Sequence, residues 1–174
     1  MKKLFTIALM ASGLMLSLQA CNAQDDKSKR PSPPAKAEAK LESGASISVD
    51  YSKPSVKGRT IGKDLEPMDG KVWRTGANEA TVFETDKDIM VAGEKLPAGK
   101  YGLFTIFNGN DVTVIFNKTW KQWGAFKYSE ADDALRVKAT ATEANPAAES
   151  LMFSVDKDML SFVWGNKRVS VPLK

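Results

Sequence analysis

A chain of 174 residues, 43% hydrophobic and 26% charged, suits one domain plus a targeting segment and holds enough apolar material for a core. The absence of histidine excludes Ser-His-Asp and Cys-His triads and removes the commonest transition-metal ligand, and a single cysteine excludes an internal disulfide. The formal charge of +4 falls to +2 once the two lysines of the first twenty residues are set aside, and no basic stripe of the kind nucleic-acid binding needs is present, so no nucleic-acid partner is expected.

Lys2 and Lys3 precede an almost uncharged apolar run from Leu4 to Leu18, the pattern of a secretory signal and too short for a comfortable membrane span. Residues 1–20 are read as a lipoprotein signal peptide. Leu18-Gln19-Ala20-Cys21 resembles the lipobox of bacterial lipoproteins, which implies that Cys21 is lipidated and becomes the new N-terminus. The membrane is then a partner through that lipid, because acyl chains tether a domain without any spanning helix. Asn22 is not the aspartate that retains some lipoproteins at the inner membrane, so the expected location is the outer membrane, facing the periplasm or the surface. Gln24-Asp25-Asp26 resembles the acidic export signals of some surface lipoproteins, although it also fits a plain solvated linker.

Residues 21–43 are rich in Lys, Ala, Ser, Pro and acids, with Leu41 their one large aliphatic. That composition predicts a lipidated N-terminus and disordered tether, since little surface is available to offset ordering entropy. The folded domain is expected over residues 44–174. From Ser46 the apolar period is two. "SISVDY" (46–51), "DVTVIF" (111–116), "LRVKATA" (135–141), "SLMFSV" (150–155), "MLSFVW" (159–164) and "RVSVPL" (168–173) all alternate or run as short apolar strands.

Turn chemistry fills the gaps. Asn108-Gly109-Asn110 reads as a tight hairpin, Gly165-Asn166 as a turn between the last two strands, and Leu96-Pro97-Ala98-Gly99 as a sharp lead into the strand at Lys100. Residues 118–134 break the rhythm as a longer loop with one helical turn. Val112 to Phe116 reads as a central strand, and Pro172 marks the last strand as an edge or its end. The prediction is an all-β, antiparallel two-sheet sandwich, jelly-roll-like, of about nine short strands.

With histidine absent and Cys21 committed to lipid, neither a metal nor a cofactor is expected; no EF-hand spacing and no glycine-rich phosphate loop is present. What is left is carboxylates, lysines and arginine. In "KVWRTGANEAT" (71–81), Arg74, Asn78 and Glu79 flank Gly76. Guanidinium, amide and carboxylate together can orient a carboxylate-, phosphate- or sugar-like ligand. The same groups can equally tie off a strand crossing, with Arg and Glu paired. In "KTWKQWGAFKY" (118–128), Trp120, Trp123, Phe126 and Tyr128 alternate with three lysines. Exposed, they form a stacking platform for acidic sugars; buried, they plug one end of the sandwich.

These residues also carry a resemblance. "YSKPSVKGRTIG" (51–62), "GKVWRTGANEATVFETDKDIMVAGEKLPAGKYGLFTI" (70–106), "VTVIFNK" (112–118), "WGAFKY" (123–128) and "DALRV" (133–137) resemble the bacterial family known as domain of unknown function 2911, over roughly residues 45–173. The resemblance implies a secreted or lipid-anchored all-β protein and singles out Arg74, Thr75, Gly76, Asn78 and Glu79. Some members carry histidine where this chain has Phe104, so histidine chemistry does not carry over. The expectation is an envelope lipoprotein that is a ligand-binding module for a glycan or another envelope component. The alternatives are a hydrolase or lyase using Glu79 with Arg74, and an assembly subunit docking another envelope protein.

Overall fold

The alternating segments fold as strands because each can bury one side-chain row and leave the other in solvent. The computed structural model describes residues 26–174; the expected signal peptide, Cys21 and residues 22–25 lie outside the described residues. Among the described residues there are eleven strands: β1 (Pro34–Lys40), β2 (Ser46–Ser52), β3 (Val72–Trp73), β4 (Thr81–Thr85), β5 (Ile89–Val91), β6 (Glu94–Leu96), β7 (Gly99–Asn108), β8 (Asp111–Asn117), β9 (Asp133–Thr140), β10 (Thr142–Asp156) and β11 (Met159–Pro172). A seven-stranded antiparallel sheet has the order β1-β2-β4-β7-β8-β9, with β3 also pairing β7. Its path is a meander, simpler than a jelly roll. β10 and β11 form a long two-stranded ribbon, and β5 and β6 a short hairpin bridged to the chain end through Val91 and Leu173.

The core lies between sheet and ribbon, which gives the sandwich its two layers. Ile47, Val49, Phe83, Leu103, Val114 and Phe116 from the sheet meet Leu151, Phe153, Leu160, Phe162 and Val171 from the ribbon. Aromatic contacts cross the gap: Tyr51 to Phe153 at 4.8 Å and Trp73 to Phe162 at 6.3 Å. β8 lies between β7 and β9 as a central strand, and its other face is apolar for a separate reason. Ile115 joins Phe104 and Ala80 in a second cluster on the outer side of the sheet, covered by Ala125 and Tyr128 of the aromatic loop.

Three expectations need correction or extension. Residues 34–40 are not tether: β1 pairs along its whole length with β2, from Pro34 opposite Ser52 to Lys40 opposite Ser46. Ala35 and Ala37 pack half-buried against the core, Ala39 is half-buried on the same face, and Lys36, Glu38 and Lys40 face solvent, so the domain begins before residue 44. Gly165-Asn166 is not a turn between strands. β11 runs straight through it, with Gly165 in left-handed conformation (φ 59°) opposite Ala148, where β10 bulges. A Cβ on Gly165 would fall 2.5 Å from Ile61 Cδ1, so the glycine also admits the 55–66 loop onto the ribbon. The strands among the described residues number eleven rather than about nine, and the two expected over 159–164 and 168–173 are the single β11. The Gly109-Asn110 hairpin does join β7 to β8, with Gly109 at φ 64°.

Candidate functional site

The loop after β3 is held by buried polar contacts. Trp73 Nε1 donates to the Gly76 carbonyl at 3.1 Å, and Thr81 Oγ1 donates to the Thr75 carbonyl at 2.9 Å. The Thr75 and Thr105 hydroxyls lie 3.1 Å apart, and Thr81 N donates to the Arg74 carbonyl at 3.2 Å. Thr75 is completely buried and has φ 49°. A β-branched residue is an outlier in the left-handed region, at a cost of about 1–3 kcal/mol that surrounding contacts must hold. That conformation turns the chain so that Arg74 and Glu79 point to different places.

Asn78 and Glu79 fasten the N-terminal arm. Asn78 Nδ2 donates to the Ser32 carbonyl at 3.0 Å. The Glu79 carboxylate accepts from Lys27 Nζ at 2.8 Å and from Arg30 Nη1 at 3.0 and 3.1 Å. Partial burial alone raises the Glu79 pKa, but Lys27, its own backbone N–H and Arg30 outweigh this and bring it down to about 2. A carboxyl held so low is a weak general base at neutral pH, where an acid–base group needs a pKa near the working range. Arg74 and Glu79 are therefore not an ion pair tying a strand crossing. Lys27 and Arg30, the actual partners, stand 52 and 49 positions from Glu79, beyond the reach of any local spacing.

The clamp has a pH signature. Because the folded pKa lies below the ordinary value of 4.5, the stabilisation is complete above pH 4.5 and fades as pH falls from there towards 2. The Glu79 side chain is 38% exposed and that of Lys27 57%, so solvent screening reduces the full linkage value to about 1 kcal/mol. Glu79→Gln is expected to lose that much in urea unfolding at pH 7, and the difference should shrink below pH 4.5 and vanish only as pH falls through about 2. Parallel curves over the whole range would mean that the clamp contributes nothing.

The two candidate clusters meet through backbone rather than through side chains. Ala80 N donates to the Gln122 carbonyl at 3.0 Å and Gly124 N to the Asn78 carbonyl at 2.9 Å, so 78–80 and 122–124 run as a short bridge centred on Glu79 and Trp123. The four rings of the aromatic loop do not share one surface. Tyr128 packs edge-on to Phe104 at 5.2 Å and donates to Asp133 Oδ2 at 2.9 Å. Trp120 is half-buried with Lys100 Nζ 5.7 Å from its ring centre. Trp123 and Phe126 are 53% and 86% exposed, and Arg30 lies 5.8 Å over the Trp123 ring. Asn117 and Gln122 brace the loop: buried Asn117 Nδ2 reaches the Ser129 carbonyl and Asp133, while Gln122 bonds the Thr119 carbonyl and the Lys127 N–H. Neither residue stands out in the sequence, because an amide that holds its own loop looks like any surface amide.

Arg74 turns into a separate cleft of about 260 Å³ walled by Trp73, Trp164, Ser32, Arg59, Asp64 and Glu66. Most polar groups there are engaged with backbone. Arg59 Nη2 donates to the Ser55 carbonyl at 2.7 Å, Asp64 accepts from Thr60 N at 2.9 Å, and Glu66 accepts from Met68 N at 2.7 Å. Trp164 Nε1 donates to the Glu66 carbonyl at 2.8 Å. The Arg74 guanidinium is the exception: its Nε is buried without a partner, and its side chain makes no ion pair or hydrogen bond among the described residues. Burial lowers its pKa, while the charge of Glu66 pulls the other way. What such a group can do is accept an anion, its planar fork matching a carboxylate or phosphate.

Among the described residues no cluster of three or more carboxylates forms that would hold a metal ion. Residues 32–173 match the family described as "Protein of unknown function (DUF2911)". No curated protein and no solved structure matches the chain.

Proposed function

The chain belongs to DUF2911, a family of proteins of unknown function, and on that footing we propose that it is an envelope-anchored lipoprotein whose sandwich binds an anionic ligand at Arg74. The ligand class is an acidic glycan or another envelope component bearing a carboxylate or phosphate. The anchor is the lipid on Cys21, which holds the domain at the outer membrane, facing the periplasm or the surface. One observation carries the binding reading: a half-buried arginine whose Nε has no hydrogen-bond partner, in a cleft whose acids Asp64 and Glu66 are turned to backbone N–H groups. A buried guanidinium N–H left without an acceptor is costly to a fold that does not use it. Thr75, strained and fully buried next to it, supports the same reading, because backbone strain concentrates at sites held in place for binding. Trp73 and Trp164, both almost wholly buried, border the cleft and give the guanidinium an apolar surround in which a charged partner is held more strongly than in water.

The test is a melting assay with inorganic phosphate, a uronic acid and an acidic oligosaccharide from the envelope. A true ligand raises the stability of the parent by about 2.7 kcal/mol at a hundredfold excess over Kd. Arg74→Met is expected to remain folded and to show no such rise. An equal rise in parent and variant places the ligand elsewhere. No rise with any acidic compound removes the reading.

A further inference from the structure

Trp123 and Phe126 are the most exposed aromatic side chains among the described residues, at 53% and 86%, and they sit on one turn, with the Phe126 ring folded over Gly124. A soluble domain rarely leaves a pair of large rings in water without an occupant. The charges carried by the turn itself are all basic. Residues 118–129 contain Lys118, Lys121 and Lys127, all exposed, and no acid. Rings flanked by lysines match the interface of an anionic bilayer, where aromatic side chains settle at headgroup depth and lysines meet the lipid charge.

The N-terminal arm says where such a surface would be. Arg30 lies over the Trp123 ring, and Lys27 and Arg30 are fastened to Glu79, whose backbone bridges Trp123. The arm therefore leaves the domain beside this loop. Only five residue steps separate Asp26 from Cys21, and a fully extended chain covers roughly 17 Å in that distance. A lipid at Cys21 would hold the bilayer surface close to this part of the molecule.

We infer that the Trp123–Phe126 turn with Lys121 and Lys127 docks on the anionic lipid surface in which Cys21 is anchored, which fixes the orientation of the domain. The inference rests on the anchoring part of the proposed function and is independent of the Arg74 cleft. Three devices act together: the acyl chains supply attachment, the arm clamp removes slack, and the turn supplies a second contact. Each lysine near the surface adds about fivefold to the local contact equilibrium at low salt.

The test uses the acylated mature protein in phosphatidylcholine–phosphatidylglycerol vesicles with and without brominated acyl chains, which quench tryptophan at contact. Trp73 and Trp164 are buried and silent in this respect. The expected result is quenching in the parent that falls sharply in Trp123→Phe, with the half-buried Trp120 accounting for the remainder. Phe126→Ser combined with Lys121→Gln and Lys127→Gln should reduce it, with near-ultraviolet circular dichroism unchanged. Protein that floats with the vesicles but is not quenched overturns the docking while leaving the anchor intact. Protein that does not float removes the anchor, and the docking with it. A Trp123 emission change with soluble acidic sugar, equal to that with vesicles, makes the turn a sugar platform and overturns the inference.

Discussion

Trp73→Ala is expected to lower the unfolding free energy by about 3–5 kcal/mol, a large part of the roughly 5–15 kcal/mol that a domain of this kind possesses. The indole is 2% exposed and stands between the layers, 6.4 Å from Phe107 on the sheet and 6.3 Å from Phe162 on the ribbon. Its Nε1 also satisfies the Gly76 carbonyl. Truncation leaves a cavity too well braced to collapse and strands a buried acceptor, and the two costs add. Trp73→Phe keeps most of the packing and loses mainly the hydrogen bond, so it should cost about 1–2 kcal/mol. Denaturant midpoints at constant m-value read both. A loss below about 1 kcal/mol for the alanine variant would contradict the packing of ribbon on sheet.

Arg74→Met is expected to act in the opposite sense and raise stability by about 1–2 kcal/mol. Most substitutions in a folded domain are unfavourable, so a gain from removing an arginine is diagnostic. The methionine stem fills much the same space in the cleft, and the desolvation cost of an unpaired guanidinium disappears. The same variant is the one that loses the response to acidic ligands. Parent and variant therefore cross: the variant is more stable without ligand, the parent with saturating ligand. A destabilised Arg74→Met would assign the arginine a structural role and move the search for a ligand away from the cleft.

Period-two alternation made the sheet readable, because β2, β8 and β9 each present one clean apolar row to the core. The same alternation runs through β1 beneath a composition that hides it. "PAKAEAK" alternates as strictly as any other segment, but its inward row is alanine, and low hydrophobicity together with nearby prolines reads as linker. Pairing with β2 supplies what composition lacked. Gly165-Asn166 misled for the reverse reason: the dipeptide has turn chemistry, and here the left-handed glycine serves a bulge inside one long strand.

At the candidate site the residue types were legible and the groupings were not. Arg74, Asn78 and Glu79 lie within six positions, yet the left-handed Thr75 and Asn78 send the arginine to one cleft and the other two to the arm. Partners such as Lys27, Arg30 and Glu66 are brought in by tertiary packing, which no local window contains. The aromatic loop was divided by the sheet beneath it. Phe104 and Ile115 claim Tyr128, and the exposed rings remain for other contacts.

The placement of β1 has a consequence for life in a crowded layer. It is the last strand on its side of the large sheet and pairs only with β2, so its outer backbone groups offer a template on which a second copy could polymerise. Lipid attachment would confine copies to two dimensions, where encounters are frequent and similarly oriented. The strand opens with Pro34, which has no N–H to donate, and it projects Lys36, Glu38 and Lys40 outward. Edge-to-edge growth would bring these charges into register against a neighbour and meet a missing donor at the first rung. The alanine–lysine–glutamate composition that disguises β1 as linker is thus also the composition that blunts an open sheet edge.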